Sequence, residues 1–369
     1  MTTLRELEPR GLELDPSDER RAGERTLTEA EVAALVPALR ATLLGAGTFV
    51  YDPDCFYRAA PNRNEPYAWP EHPRGTWTSA TNSDGAREDH ELGARELDAF
   101  VLVAGDSQTE GMCDNADTFC TRLEAELATA GRPRIEVYDT GLSGYTFQNY
   151  VGVLRRHLDR APAVFVTVFY GGNDFVEAVR LEHVLRREPQ PPSPSGYDAL
   201  LARAHAAAKS AFSQGVNQWL YFRAHPDEAA FAAAAARAAC DEIAATCAER
   251  GIPWIAVYLP TPLELTRAPW RDLRARLRDE LGLADEDERR IADLVDGLLA
   301  SARERGATVV DLRPVLSVAE QRCFWSELHL DLDGHALVAK TLAPELLRAL
   351  EHRTATEDAA RDEHGGLAR

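Results

Sequence analysis

The sequence has no uninterrupted run of about 18 apolar residues, so it offers no candidate transmembrane helix. It also shows no secretory leader. Met1 to Arg25 alternates charge at Arg5, Glu6, Glu8, Arg10, Glu13 and Asp15, where a leader needs an apolar stretch of about 7–15 residues. Positive charge is in deficit: the net charge of −19 argues against nucleic acid and anionic membranes as partners, and mildly favours neutral over strongly anionic substrates. The six cysteines (Cys55, Cys113, Cys120, Cys240, Cys247 and Cys323) contain no C-x-x-C pair and no Cys/His spacing of a zinc site. They read as plain thiols of a cytoplasmic protein, and no metal is expected. No internal repeat occurs. Gly45-Ala46-Gly47 follows a helical pattern and lacks the third glycine of a dinucleotide loop, so no cofactor is expected either.

What is present is a long α/β pattern. Thr28-Glu29-Ala30-Glu31 fits a capping box ahead of Val32, Leu35, Leu39 and Leu43 at helical spacing, with Pro37 placed to kink or shorten the helix. Tyr51 to Gly93 is rich in Pro, Asn, Gly and aromatics and reads as loops and short strands. Strand and helix then alternate: Phe100–Ala104, helix Ala116–Ala130, strand Ile135–Tyr138, helix Phe147–Leu158, strand Ala163–Phe169. Strands at Pro253–Tyr258 and Thr308–Asp311 follow, with a helix over Asp287–Arg305 between them and a last helix over Gly334–Leu350. This rhythm predicts parallel βαβ units in a three-layer, doubly wound sheet over 98–353. An accessory segment at 26–97 precedes it, flexible ends are expected at 1–25 and 354–369, and a helical insertion spans about 176–250. The insertion carries Ala-rich helices at Tyr197–Ser213 and Asp227–Arg250. It reads equally as a cap over a site at the strand ends or as a packing or dimer layer.

Four segments fall at the carboxyl edge of that sheet. Gly105-Asp106-Ser107-Gln108-Thr109-Glu110-Gly111 follows the first strand, which places Ser107 as a nucleophile would stand. Thr140-Gly141-Leu142-Ser143-Gly144-Tyr145 follows the second strand and Tyr170-Gly171-Gly172-Asn173-Asp174 the third, while Glu327-Leu328-His329 precedes the last helix. Ser107 needs a base, which His329 can supply, and the base needs a carboxylate to hold its tautomer. The N–H groups of Ser107 and Gly144 and the Asn173 amide are candidate oxyanion donors. Asp106 reads as a cap of the following helix, Asp174 as a structural partner of its loop, and Gly141 as a turn glycine. His157, His183 and His205 read as residues of solvated helix faces, and His335, preceded by Asp333, is a rival base.

In this order the blocks resemble the SGNH, or GDSL-type, hydrolase superfamily. The resemblance runs over roughly Tyr51–Leu350 outside the insertion and includes Pro61-Asn62 and Thr81–Arg87 upstream. It implies Ser107 as nucleophile, Gly144 and Asn173 as oxyanion residues, and His329 as base. Glu327 stands where the family usually has an aspartate. The expected substrate is a small ester, with acyl transfer to a sugar or metabolite hydroxyl, or a non-catalytic binding role, as alternatives.

Overall fold

The computed structural model describes the backbone at 26–36 and 47–365, with side chains as far as Arg353. The first helix, α1 (Glu29–Leu35), opens through the expected capping box: Thr28 Oγ1 accepts from Glu31 N, and a Glu31 carboxylate oxygen accepts from Thr28 N at 2.7 Å. It stops at Val36 because Pro37 disfavours helical backbone in the residue before it. Leu39 and Leu43, assigned to the same helix from spacing, lie outside the described residues, as do 1–25. Two antiparallel hairpins follow, β1 (Phe49–Asp52) with β2 (Phe56–Ala59) and β3 (Asn64–Ala68) with β4 (Thr76–Ala80).

The core is a five-stranded, wholly parallel sheet built from β5 (Ala99–Ala104), β6 (Ile135–Asp139), β7 (Val164–Tyr170), β8 (Trp254–Leu259) and β9 (Thr308–Asp311), in the order β6-β5-β7-β8-β9. The runs in β7 and β8 are buried at every residue, as strands covered on both faces must be. The helices between and beyond the strands are α2 (Ser107–Glu110), α3 (Phe119–Thr129), α4 (Phe147–His157), α5 (Asp174–Leu185), α6 (Tyr197–Ala207), α7 (Asn217–Ala224), α8 (Asp227–Arg250), α9 (Trp270–Leu281), α10 (Asp285–Glu304), α11 (Arg313–Val318) and α12 (Leu332–Gly365). α3 packs with α12, and α8 packs with α4, α5 and α10. With right-handed crossovers these two sets cover opposite faces of the sheet. The strand order reverses between β5 and β7, so the crevice of the doubly wound sheet opens where Ser107 and Asn173 emerge. No helix among the described residues is long and apolar enough to cross a membrane.

Several details depart from the sequence pattern. The helix expected over Tyr197–Ser213 breaks at Ala208 and continues as a π-turn, Phe212–Val216, before α7, because Gln214 and Gly215 leave helical geometry. α8 returns the chain to β8 as a layer of the sheet's cover. α9 and α11 have no counterpart in the sequence reading; α9 turns only Trp270, Leu277 and Leu281 inward among many charges, which hides its apolar stripe. α12 runs on to Gly365 through residues expected as a flexible tail, a stretch that holds the helix formers Ala355, Glu357, Ala359, Ala360, Arg361 and Glu363. His157 and His183 are buried rather than solvated. His157 is covered where its ring meets Asp84 at 3.3 Å, and His183 pairs with Glu228 at 2.8 Å across to α8.

The hairpin segment belongs to the main core: Cys55, Phe56, Tyr57 and Ala59 are buried in it. Asn149 of α4 donates to the Cys55 carbonyl at 2.9 Å, and a Cβ at Gly152 would stand 2.2 Å from the Asp54 carbonyl oxygen. Only glycine lets the helix and this strip lie so close.

Candidate active site

β5 ends at Ala104, and the chain turns through Gly105 and Asp106 so that Ser107 is the first residue of α2. Asp106 caps the turn as its position suggests, Oδ1 accepting from Gln108 N at 2.9 Å. Burial pushes its carboxyl up to about 7. Asp106, Gln108 and Thr109 are fully buried, whereas Ser107 is half-buried and reaches the surface.

The histidine comes from a tight loop closed by a bridge between Phe324 and Leu330, in which Trp325 N donates to the His329 carbonyl at 2.8 Å. His329 Nε2 lies 2.9 Å from Ser107 Oγ, and Nδ1 lies 2.9 Å from each carboxylate oxygen of Glu327. An ionised carboxylate only accepts, so Nδ1 carries the proton and the Nε2 lone pair faces the serine hydroxyl. Burial opposes charge on this imidazole, but Glu327, with Asp106 and Glu110 behind it, prevails and raises its pKa. His335 sits differently. Its Nδ1 accepts from Phe119 N at 3.1 Å, its ring stacks on Phe119, and burial with Arg87 and Arg122 nearby lowers its pKa to about 3. It is a core histidine at the start of α12, outside the row of bonds that joins Ser107, His329 and Glu327.

Hydrogen bonds join the other two loops to this row. Leu142 N donates to the Gly105 carbonyl at 3.1 Å, and Thr146 Oγ1 donates to the Asp174 carbonyl at 2.7 Å. Gly144 takes φ +81°, while Gly141 has ordinary backbone and is glycine for space: a Cβ there would stand 2.6 Å from Glu110 N. Asn173 heads α5, half-buried, with its Oδ1 unpartnered and no side-chain bond to the start of the helix. Asp174 is structural as expected, accepting from Tyr170 N and the Tyr150 hydroxyl, each at 2.9 Å.

The sequence reading missed the residues that brace these loops. Glu110 Oε2 accepts from Ser143 N at 2.9 Å and Ser143 Oγ at 2.6 Å, fixing the residue before Gly144. Gln218 accepts from Phe175 N and Val176 N and donates to the Gly171 carbonyl at 3.0 Å, so an α7 side chain holds both sides of Asn173. Glu71, from the turn between β3 and β4, accepts from Ser326 N at 3.0 Å and supports the histidine loop. Arg87 is buried and donates through Nε to Asn115 Oδ1 at 2.7 Å, and through its other nitrogens to the carbonyls of Glu110, Gly111 and Cys113. Glu110 lies in the Gly105–Gly111 motif and Arg87 in the Thr81–Arg87 segment, both within reach of sequence reasoning, whereas Glu71 and Gln218 carry no such signal.

Arg87→Met strands three carbonyls in the interior. At roughly 1–3 kcal/mol for each unmet buried acceptor, it should destabilise the fold by about 3 kcal/mol or more. Urea unfolding would read this, and a midpoint equal to wild type would show that these carbonyls find other partners.

Among the described residues, His72, Asp114 and Asp117 bring potential metal-ligand atoms within 4.8 Å of one another. The two carboxylates are paired within the protein, while His72 Nε2 is buried with no partner among the described residues. Arg74 pairs with Asp114, Arg122 with Asp117, and His72 Nδ1 accepts from Arg74 N at 3.3 Å, which puts the ring proton on Nε2.

No curated protein sequence matches this chain. Among solved structures, the chain is similar to LAE5, an alpha/beta hydrolase enzyme from the metagenome of Lake Arreo, Spain (16% identity, covering 70% of this chain and 97% of that one, TM-score 0.39). It is also similar to the acetyl xylan esterase AlAXEase (14%, 66% and 97%, 0.40) and to the lipase/acylhydrolase from Enterococcus faecalis (15%, 67% and 95%, 0.38). The sequence profile of the GDSL-like Lipase/Acylhydrolase family matches residues 103–282, from the end of β5 to the end of α9, short of the histidine loop. Residues 103–282 therefore belong to the GDSL-like lipase/acylhydrolase family, and the protein is a hydrolase.

Proposed function

We propose that the protein is a serine esterase that cleaves a small ester, an acetyl ester in the first instance, through an acyl-serine intermediate. The observation that carries this is the row of hydrogen bonds from Ser107 Oγ through His329 to Glu327, each 2.9 Å long. Ser107 Oγ attacks the acyl carbon as Nε2 takes its proton, and Glu327 steadies the imidazolium. The N–H groups of Ser107 and Gly144 and the Asn173 amide hold the oxyanion. The ester C–O bond then breaks, and His329 returns the proton to the departing alcohol. Water, deprotonated by the same histidine, releases the acid and frees Ser107. The cytoplasm is the proposed compartment: all six cysteines are free and buried, and burial pushes the Cys113, Cys240 and Cys247 thiols up to about 12.

Hydrolysis of aryl esters of increasing acyl length, with and without sugar or metabolite acceptors, tests the reaction. Acetate release without an acceptor and falling rates with longer chains are expected. Product that forms only when an acceptor is present would make the protein an acyltransferase. Native protein that no fluorophosphonate probe labels would rule out a serine mechanism. Asn173→Ala should fold normally and lose on the order of 10²–10³ in kcat, about 2.7–4 kcal/mol, with KM little changed. Full activity in that variant would remove Asn173 from the oxyanion site.

A further inference from the structure

Gln108 follows Ser107, is wholly buried, and has no part in the reaction as written. Its amide makes three hydrogen bonds. Oε1 accepts from Leu330 N at 2.9 Å, and Nε2 donates to the Leu328 carbonyl at 3.2 Å and to Gln214 Oε1 at 3.3 Å. The first two partners are the peptide groups on either side of His329. The orientation of the amide is fixed by chemistry, because Leu330 N only donates and the Leu328 carbonyl only accepts.

The loop needs such a clamp. Leu328 takes φ +73°, a strained region that a residue with a Cβ keeps only when its surroundings hold it. On the other side of Gln108, Gln214 occupies the π-turn of the insertion at φ −107° and ψ 28°, with Gly215 beside it at φ +155°. Thr261 Oγ1 donates to the Gln214 carbonyl and secures that turn against the loop after β8. Two side-chain amides in series thus connect the insertion to the peptide groups that flank the base.

We propose that Gln108 is a positioning residue for His329, and that the helical insertion acts on the reaction through it by way of Gln214. The proposal rests on the serine-hydrolase reading above. The base stays within hydrogen-bonding distance of Ser107 because its own loop is tied to the residue next to Ser107. Displacement of the imidazole is then limited to the play of one buried side chain.

The test uses the full chain with Gln108→Leu and Gln214→Ala. It reads the rate of labelling by a fluorophosphonate probe against pH, kcat and KM for 4-nitrophenyl acetate, and the melting temperature. The ionisable groups around His329 are Glu327 of its own loop, Asp106 of the nucleophile turn, Glu110 of α2 and His335 of α12, and neither variant alters them. Gln108→Leu should lower kcat by on the order of 10–10²-fold, since misplacement of a reacting group by about 1 Å costs that much. KM should stay within about twofold. The acidic limb of the labelling profile should move to lower pH as the loosened imidazole loses part of its hold on Glu327. Gln214→Ala should move both readouts the same way by a smaller amount.

Wild-type labelling together with variants that keep its rate and limb would overturn the positioning role and leave the serine mechanism standing. The positioning role falls equally if activity drops only in step with the folded fraction while the limb stays fixed. Should Gln108→Leu fail to fold, Gln214→Ala decides alone by the same criteria. Wild type that never labels would remove the serine reading and this proposal with it.

Discussion

Ser107→Ala should abolish fluorophosphonate labelling and lower hydrolysis of an aryl acetate by about 10⁴-fold or more, since loss of a triad nucleophile leaves only the oxyanion donors and substrate binding. The variant should remain folded. The hydroxyl lies on a half-buried residue and bonds to His329, so its loss opens no cavity in the core. Equal labelling of the variant and the native protein would place the reactive nucleophile elsewhere and end the case for Ser107. A melting temperature measured in parallel separates lost chemistry from lost structure.

Glu327→Gln should cost about 10⁴ in kcat at neutral pH, because an amide at this position can donate to Nδ1 and stabilise the tautomer whose Nε2 carries the proton. It should also shift the pH profile in a defined direction. Burial disfavours charge on His329, yet Glu327 raises its pKa above the ordinary 6.5, so the acidic limb of kcat/KM in the native protein should lie above about 6.5. Removing the carboxylate leaves burial dominant, and the limb should fall. Stability follows the same sign. A raised histidine pKa stabilises the fold fully below the unfolded value, and that contribution is lost as pH rises through the folded value. The variant should therefore melt lower than wild type in acid and approach it in alkali. A limb that stays in place would show that Asp106 or Glu110 sets the charge of His329.

The parts of this site that the sequence revealed are those governed by short-range rules. Ser107 stands out because an apolar strand, a turn and a helix start follow one another within a dozen residues, and Thr28 announces its helix through a partner three residues away. Glu327 was legible because it lies two residues from His329. The braces were not. Gln108 meets Leu330 across 222 positions and Gln218 meets Phe175 across 43, and an amide looks the same in sequence whether it faces water or a peptide group. The π-turn at Phe212–Val216 escaped for a related reason: its neighbours are good helix formers, and tertiary contacts at Gln214 and Thr261 override them. His157 and His183 were misplaced on solvated faces because the covering segments are distant in the chain.

The close seating of the hairpin strip on α4 also has a consequence in time. During synthesis Cys55 and its neighbours leave the ribosome well before Asn149, their partner 94 positions later, has been made. Phe56 and Tyr57, destined for the interior, must wait unsheltered until α4 arrives. Closing so long a loop is slow compared with forming a local helix, so this strip is expected to join late in folding. A nascent chain of this protein thus exposes these two rings until the helix between β6 and β7, against which the finished fold conceals them, has been made.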